Sequence, residues 1–296
     1  MAIDTTSSTL MASGATSTPR KFVTDDGLTL RADTWGEPGQ PPVILLHGGA
    51  QTRHSWKRTA ERVSKLGYYA VALDLRGHGD SDWARGTAYT LQRYVADLNN
   101  VVAQVGDKPT LIGASLGGII SILYAGTMGQ HQIASMVLVD IATRIDHAGA
   151  ARIEEFLLAH RDGFASLEEA ADAVAAYLHH RKRPSVLSGL EKNLRKASDQ
   201  RYYWHWDPAF INSPLIQEVR DEQRLLSAAK TISVPLLLVR GANSDIVSPE
   251  IIQHFLEEVP QASFTEVGGA GHTLAGDSNE EFTDAVVAFL QQNKNK

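Results

Sequence analysis

The sequence predicts an α/β fold in which a mostly parallel central sheet is flanked by helices and interrupted by an inserted α-helical cap. Short apolar runs such as residues 43–46 are typical of strands that are buried on both faces. These runs alternate with stretches of helical periodicity such as residues 91–105. Because strands alternating with helices indicate βαβ crossovers, we expect a parallel sheet.

Composition narrows the classes of function. The 296 residues are 43% hydrophobic and 21% charged, which is typical of a globular protein with a large core. A formal net charge of -6 gives no reason to expect a nucleic-acid or membrane partner, since phosphate binding needs clustered Lys and Arg. The chain has no cysteine, so disulfides, thiolate catalysis and Cys-ligated zinc are excluded. We expect a cytoplasmic protein that uses no cofactor or metal.

The predicted domains follow the interruption of the strand–helix pattern. Residues 1–20 are rich in Ser, Thr and Ala, lack the features of a secretory signal, and predict a disordered tail. Residues 21–141 and 231–296 form the predicted core domain, and residues 142–230 form the predicted cap. No run of 18 or more apolar residues occurs, so no membrane span is expected.

Periodicity and turn residues predict the individual strands and helices. The chain opens with a hairpin of strands 22–24 and 28–35 around the turn 25–27. The further predicted strands are 43–46, 69–73, 109–112, 136–139, 234–239 and 263–267. The predicted helices are 56–66, 91–105, 119–128, 153–159, 167–179, 249–259 and 280–291.

The first candidate catalytic residue is Ser115, within a GxSxG motif that follows an apolar strand and precedes a helix. This context is that of a nucleophile elbow, a tight turn that holds the serine in a strained backbone conformation. Small residues are needed on both sides, and Gly113 and Gly117 meet that need. Ser115 would lie at a helix N-terminus, where backbone N–H groups favour developing negative charge.

Two further candidates follow later strands. Asp245 lies in the loop after strand 234–239, and His272 lies in a glycine-rich loop after strand 263–267. Catalytic groups collect at the carboxyl ends of parallel strands. The ordinary pKa of histidine, near 6.5, suits a general base at neutral pH. We therefore predict that Asp245 orients His272, which in turn activates Ser115.

These segments resemble the α/β-hydrolase superfamily from residue 22 to residue 291. The resemblance rests on the motifs at 45–49 and 74–81, the GxSxG elbow, and the loops of Asp245 and His272, in the chain order Ser, Asp, His that this fold uses. It implies an oxyanion hole formed by the backbone N–H groups of Gly49 and Leu116. It also implies that His47 and residues 74–81 form the scaffold around the site.

The predicted substrate is a small molecule. His47, Gly48, Trp204 and Trp206 are candidate substrate-binding residues, although aromatic side chains in a cap more often pack its own core. Dehalogenases and epoxide hydrolases of the superfamily carry aspartate at the elbow, so Ser115 argues against both activities. A serine forms an acyl-enzyme, which makes an ester, thioester or lactone of a largely apolar carbonyl compound the expected substrate.

Three alternatives to ester hydrolysis remain open. The resemblance also includes hydrolases of carbon–carbon bonds in vinylogous diketones, which release two carbon fragments from one ketone. Acyl transfer or peracid formation would use an acceptor other than water. A ligand receptor that keeps the fold without turnover is the alternative outside enzymes, and three retained catalytic residues argue against it.

Overall fold

The computed structural model describes residues 16–85, 89–128, 130–177, 183, 187–271 and 280–294. Within these ranges, eight strands form one sheet and two short strands form a separate hairpin. The strands of the sheet are β1 (Thr18–Val23), β2 (Thr29–Trp35), β3 (Pro42–Leu46), β4 (Tyr69–Leu73), β5 (Thr110–Ala114), β6 (Ser135–Val139), β9 (Leu236–Gly241) and β10 (Ala262–Val267). The hairpin consists of β7 (Leu194–Lys196) and β8 (Tyr202–Trp204).

The helices of the described residues lie between and around these strands. They are α1 (Lys57–Lys65), α2 (Leu91–Val105), α3 (Leu116–Met128), α4 (His147–Ala159), α5 (Leu167–Tyr177), α6 (Ser188–Glu191), α7 (Leu215–Glu218), α8 (Glu222–Lys230), α9 (Pro249–Glu258) and α10 (Glu280–Asn293). None of them combines the length and apolarity that crossing a bilayer requires.

The sheet has the order β1-β2-β4-β3-β5-β6-β9-β10. β1 pairs with β2 and β2 with β4 in the antiparallel sense, whereas every later pairing is parallel. Because parallel strands end at the same edge, the residues after β3, β5, β6, β9 and β10 come together there. The expected mostly parallel sheet flanked by helices is confirmed.

Alternating side chains of the central strands divide the core into two layers. In β3, Ile44 and Leu46 pack with residues of α2 and α3 on one face. Val43 and Leu45 pack with residues of α1 and α10 on the other face. Burial on both faces explains why these strands have continuous apolar runs and not alternating ones.

The inserted segment is not purely helical, so the expectation of an α-helical cap needs a correction. Residues 194–196 and 202–204 pair as the antiparallel hairpin β7–β8, with Gln200 in the turn at φ +70°. Tyr and Trp favour strands, and Tyr202 also exchanges backbone hydrogen bonds with Phe164. These backbone contacts stabilise an extended conformation at residues 202–204, which local helical periodicity does not predict.

Two predicted boundaries also move. Thr18, Pro19 and Arg20 fall within the predicted tail 1–20 but pair with β2 as the start of β1; residues 1–15 lie outside the described residues. At the other boundary, α8 packs against α3 of the core, where a Cβ on Gly126 would lie 2.6 Å from the Cβ of Ala228. The final helix of the predicted cap segment therefore belongs to the core layer.

Candidate active site

Ser115 lies in a sharp turn between β5 and α3. Its φ of +47° falls in the left-handed region, which is uncommon outside glycine. A Cβ on Gly113 would lie 2.4 Å from the carbonyl oxygen of Gly117, and a Cβ on Gly117 would lie 2.3 Å from that of Leu46. The turn therefore has the backbone strain and the glycine requirement that the sequence predicted for a nucleophile elbow.

The loop of residues 47–49 passes directly beside Ser115. A Cβ on Gly48 would lie 3.3 Å from the Cβ of Ser115, so a larger residue at position 48 would crowd the serine side chain. The loop is fixed by Gln51, whose backbone N–H donates to the Gly48 carbonyl oxygen at 3.2 Å and whose side-chain oxygen accepts from the Gly48 N–H at 3.3 Å. Gly48 is thus placed next to the candidate nucleophile.

The two predicted oxyanion-hole residues directly follow Ser115 and Gly48 in the chain. Leu116 is the first residue of α3, so its N–H is one of the first four of the helix, which have no acceptor inside the helix. Gly49 follows Gly48 in the loop beside Ser115, and a Cβ on it would lie 3.2 Å from the Phe210 ring. Their role as oxyanion donors stays a prediction.

His47 is fully buried and holds the base of the loop. Its Nε2 accepts from the Leu75 N–H at 3.1 Å, and its Nδ1 lies 2.7 Å from the Gly48 carbonyl oxygen, to which it can donate. Burial lowers the pKa of His47 to about 4. A neutral ring with both nitrogens engaged supports a scaffold role; the proposed contact with substrate stays a prediction.

His78 forms the next support behind His47. The two ring centroids are 5.2 Å apart, and His78 Nε2 accepts from the Ala50 N–H at 3.1 Å. Burial, together with neighbouring His47, lowers the pKa of His78 to about 3. The edge of the Phe210 ring packs on His78 with the centroids 4.9 Å apart. The loop beside Ser115 is therefore fixed by two neutral imidazoles.

The motif 74–81 also has a supporting place. Asp74 is fully buried and accepts hydrogen bonds from the backbone N–H groups of Arg53 at 2.7 Å and Asp80 at 2.9 Å, and from the Arg53 guanidinium. The motif also bonds to the cap, because the Gly79 N–H donates to the His205 carbonyl oxygen at 2.7 Å. These contacts agree with the scaffold role that the resemblance implies.

Asp245, the predicted orienting acid, points toward the cap helix α4. Its Oδ2 accepts from Arg152 Nη2 at 3.0 Å, and its side chain is 39% exposed. Burial and the charge of Asp245 raise the pKa of Tyr177, on α5, to about 12. His272 lies outside the described residues, so the predicted contact between Asp245 and His272 stays a prediction.

A second carboxylate, Asp140, lies at the same edge of the sheet and was missed in the sequence. It directly follows β6, is fully buried, and has φ +49°. Its Oδ1 accepts from the Gly241 N–H at 3.0 Å and its Oδ2 from the Ser244 hydroxyl at 2.6 Å. The available signal was an aspartate immediately after an apolar strand, between Ser115 and His272 in chain order.

The cap aromatics pack mainly among themselves. Trp204 contacts Phe164 edge to face with centroids 5.2 Å apart, and Trp206 lies 6.1 Å from Phe210 in the same manner. Trp206 also contributes to a cavity of about 310 Å³. The cavity is lined by Leu157, Leu158, Arg161, Trp206, Pro208, Ala209, Ile211 and Asn212. Substrate binding by Trp204 and Trp206 stays a prediction.

Known proteins share both the sequence and the fold. A family model described as serine aminopeptidase, S33, matches residues 39–279. Esterase Rv0045c of Mycobacterium tuberculosis is 30% identical over 222 residues, which cover 73% of this chain and 70% of that protein. The 3-hydroxybutyrate-oligomer hydrolase of Cupriavidus necator is 25% identical over 251 residues, or 80% and 85% of the two chains. The crystal structure of an α/β hydrolase from Novosphingobium aromaticivorans superposes with a TM-score of 0.81 at 25% identity, covering 94% of this chain and 99% of the other.

Proposed function

Since the chain belongs to the serine aminopeptidase (S33) family of α/β-hydrolases, we propose that it cleaves an ester, thioester or lactone of a small, largely apolar carbonyl substrate through an acyl-enzyme on Ser115. Ester hydrolysis in general is supported by relatives named as an esterase and as an oligomer hydrolase. The proposal of an acyl-enzyme rests on the backbone of Ser115, which is in the left-handed region. The glycines on either side, Gly113 and Gly117, have no room for a Cβ. Strain of this kind is stored at functional sites.

The proposed chemistry begins with attack by the Ser115 oxygen on the carbonyl carbon. His272 takes the serine proton and then passes it to the departing alcohol, which leaves the acyl group on Ser115. Water then attacks the acyl carbon, again with His272 as base, and releases a carboxylic acid and the free serine. A carboxylate must hold the imidazole in the correct tautomer; Asp245 is the residue predicted from sequence for that role.

The negative oxygen of each tetrahedral intermediate needs donors fixed in advance. The N–H of Leu116, in the first turn of α3, and that of Gly49, beside Phe210, are the proposed pair. Such donors contribute about 3–4 kcal/mol each to transition-state stabilisation. Gln51 and His47 hold the loop that carries Gly49, so the donor would need little reorganisation during the reaction.

The apolar preference of the proposed substrate rests on the side chains nearest this loop. The Phe210 ring lies beside Gly49, 3.2 Å from where a Cβ on that glycine would be, and Phe210 is only 5% exposed. Trp206 packs against Phe210 from the cap side. An acyl or alcohol group entering beside Ser115 would therefore meet aromatic surface, which favours apolar groups.

The test compares Ser115→Ala with wild type on short p-nitrophenyl esters and on a fluorophosphonate probe. We expect kcat of the variant to fall by several orders of magnitude. The probe adduct on the peptide that contains residue 115 should also be absent in mass spectrometry, because only an activated serine reacts rapidly with the probe. Product analysis should give one alcohol and one acid per turnover. Two carbon fragments from a diketone, with no ester cleavage, would favour the carbon–carbon hydrolase instead.

Ser227→Ala is a matched control, since it removes an exposed serine hydroxyl on α8. It should keep wild-type turnover and probe labelling. The proposal is wrong if folded Ser115→Ala protein retains the wild-type rate, or if the probe adduct maps to another residue.

A further inference from the structure

A short segment of the cap pairs with the core next to the loop beside Ser115. Residues 205–207 and residues 77–79 form an antiparallel β-bridge. The two segments share two backbone hydrogen bonds of 2.7 Å, in which the N–H groups of Gly79 and Asp207 are the donors. Backbone bonds therefore fix the place of Asp207 relative to the core.

The carboxylate of Asp207 is buried and accepts two hydrogen bonds. Its Oδ2 accepts from the Tyr89 hydroxyl at 2.6 Å, and its Oδ1 accepts from the Ala209 N–H at 2.9 Å. Asp207 has no ion pair within the part of the chain that the structure describes. A buried carboxylate without a cation is costly, and the short bond from Tyr89 offsets part of that cost. Asp207 is therefore held firmly at Tyr89.

Tyr89 is the core side of this contact and is itself fixed. Its side chain is fully buried, and its hydroxyl accepts from the Ala84 N–H at 2.9 Å. Its ring lies on Gly77, where a Cβ would be only 2.5 Å from the ring carbon Cε1. Burial, together with the acceptor Asp207, raises the pKa of Tyr89, so the hydroxyl stays protonated and remains a donor.

The turn that begins at Asp207 carries Phe210. Asp207 is the N-cap of the short 3₁₀ helix Pro208–Phe210, so its carboxylate sets where this turn starts. The Phe210 ring meets three other rings edge to face, at centroid distances of 4.9 Å to His78, 6.1 Å to Trp206 and 6.5 Å to Tyr89. A shift of Asp207 would therefore also shift this ring.

Phe210 in turn packs on the loop of residues 48–50. A Cβ on Gly49 would lie 3.2 Å from Phe210 Cζ and 3.7 Å from Cε1, so the edge of the ring lies directly on this glycine. The next residue, Ala50, has φ +61°, a left-handed conformation that persists only where the surroundings hold it. Its N–H donates to His78 Nε2 at 3.1 Å. The loop is thus held by His78 of the core and by Phe210 of the cap.

From these contacts, and resting on the proposed function, we infer that the cap positions the oxyanion donor Gly49. Phe210 holds Gly49 beside Ser115, and Asp207, fixed by Tyr89, holds Phe210. A donor stabilises a developing oxyanion best when it is already in place and does not have to reorganise during the reaction. Phe210, Asp207 and Tyr89 are therefore positioning residues, which act on the transition state through Gly49.

The test compares Tyr89→Phe and Asp207→Asn with wild type on a p-nitrophenyl ester. Tyr89→Phe keeps the ring that packs on Gly77 and removes only the hydroxyl, so it should fold. We expect kcat to fall about 10-fold in each variant, since removing an oxyanion donor altogether costs about 10²–10³-fold. KM should stay within about threefold of wild type, because a misplaced donor weakens transition-state binding and not substrate binding.

Tyr124→Phe is the matched control. Tyr124 is also fully buried, and its hydroxyl donates to Gln132 Oε1 at 2.7 Å, but this bond joins α3 to the turn that follows it and not to the cap. The variant should keep kcat within about twofold of wild type. A fall as large as that of Tyr89→Phe would show that losing any buried hydroxyl slows the enzyme, and would overturn the inference.

Inhibition by a phenyl trifluoromethyl ketone separates positioning from a loss of active protein. When Ser115 adds to its carbonyl carbon, the ketone oxygen becomes negative and needs the same donors as the transition state. The inhibition constant of Tyr89→Phe should therefore rise by about the same factor as kcat falls. A fall in kcat with an unchanged inhibition constant would mean that less of the protein is active, and the inference would be wrong.

A double-mutant cycle shows whether Tyr89 acts through Phe210. Phe210→Leu removes the ring edge that meets Gly49 and keeps an apolar side chain. Once this contact is gone, adding Tyr89→Phe should lower kcat no further. Losses that multiply in the double variant would place the effect of Tyr89 elsewhere and contradict the inference.

The outcomes keep the inference separate from the proposed function. If Ser115→Ala is inactive but folded Tyr89→Phe and Asp207→Asn both keep the wild-type kcat, the inference is wrong and the serine mechanism stands. If Asp207→Asn does not fold, Tyr89→Phe decides by the same criterion. Failure of the proposed function itself would show in Ser115→Ala, which would remain active.

Discussion

Gly117 packs so closely on Leu46 that a Cβ at position 117 would lie 2.3 Å from the Leu46 carbonyl oxygen and 2.7 Å from the Leu46 Cβ. The first contact is with backbone, so no side-chain rotation can relieve it. The start of α3, and with it the Ser115 turn, is thus pressed against the end of β3. A methyl group at position 117 would have to separate these two elements.

We therefore expect Gly117→Ala to lower the free energy of unfolding by about 1–3 kcal/mol, the usual effect of overpacking. At an exposed position in a helix, the same change would raise the free energy of unfolding by about 1 kcal/mol. A decrease would therefore indicate the close packing of Gly117 on Leu46. Urea unfolding measures the stability, and ester hydrolysis should fall as well because the elbow moves.

Gly189→Ala is the matched control, because it also lies in a helix and has no atom within 4 Å of its added Cβ. Its stability should equal or exceed that of the wild type. Equal stability of both variants would show that β3 and α3 are not in the close contact described.

The elements that the sequence predicted best are bounded by strong local signals. Helix α2 has the predicted bounds 91–105, since Thr90 accepts from the Arg93 N–H as N-cap and Gly106 ends the helix at φ +141°. Strand β4 also has its predicted bounds, because its five residues are all apolar and buried. In both cases the information lies within a few residues of the element.

The features that sequence reasoning missed depend on contacts between distant residues. Strand β8 pairs with the nearby β7, but Tyr202 also exchanges hydrogen bonds with Phe164, 38 positions away, and local periodicity does not reveal that contact. Asp140 is marked out by complete burial and by donors from the end of β9 and from the loop that follows it, none of which is visible in residues 136–142. The elbow was predictable because its glycine pattern is itself local.

Buried His47 predicts how stability responds to acid. Its pKa in the folded protein is about 4, below the ordinary 6.5, so the unfolded chain binds more protons between these values. The free energy of unfolding should therefore fall as the pH is lowered from about 6.5 toward 4, by up to about 3 kcal/mol from this residue. His78, with a pKa of about 3, acts in the same direction.

We expect His47→Gln to be less stable than wild type at pH 7.5, because the imidazole contacts to Leu75 and Gly48 are altered. Its stability should then decline less steeply between pH 6.5 and pH 4, since one titrating group is gone. Guanidinium unfolding at several pH values gives both quantities. A constant difference from wild type at every pH would contradict the role assigned to His47.

Breaking the buried ion pair of Arg76 and Asp97 should cost more stability than breaking an exposed pair. Arg76 Nε donates to Asp97 Oδ2 at 2.6 Å and Nη2 donates to Oδ1 at 2.5 Å, and the two side chains are 0% and 3% exposed. Burial raises the pKa of Asp97 even though the Arg76 guanidinium lowers it. The pair joins the motif 74–81 to α2, so its loss would loosen the scaffold behind Ser115.

Asp97→Asn should lower the free energy of unfolding by up to about 3–5 kcal/mol, because it removes the buried partner of the Arg76 guanidinium while keeping the side-chain shape, and leaves only the partly exposed Asp26 as its anion among the residues that the structure describes. Asp25→Asn is the control. Asp25 accepts from Arg93 at 2.6 Å, but the two side chains are 53% and 30% exposed, and exposed pairs contribute about 0–1 kcal/mol. Urea unfolding of both variants gives the comparison. Similar losses in the two would mean that burial does not set the strength of the Arg76 pair, and that the scaffold is held by its other contacts.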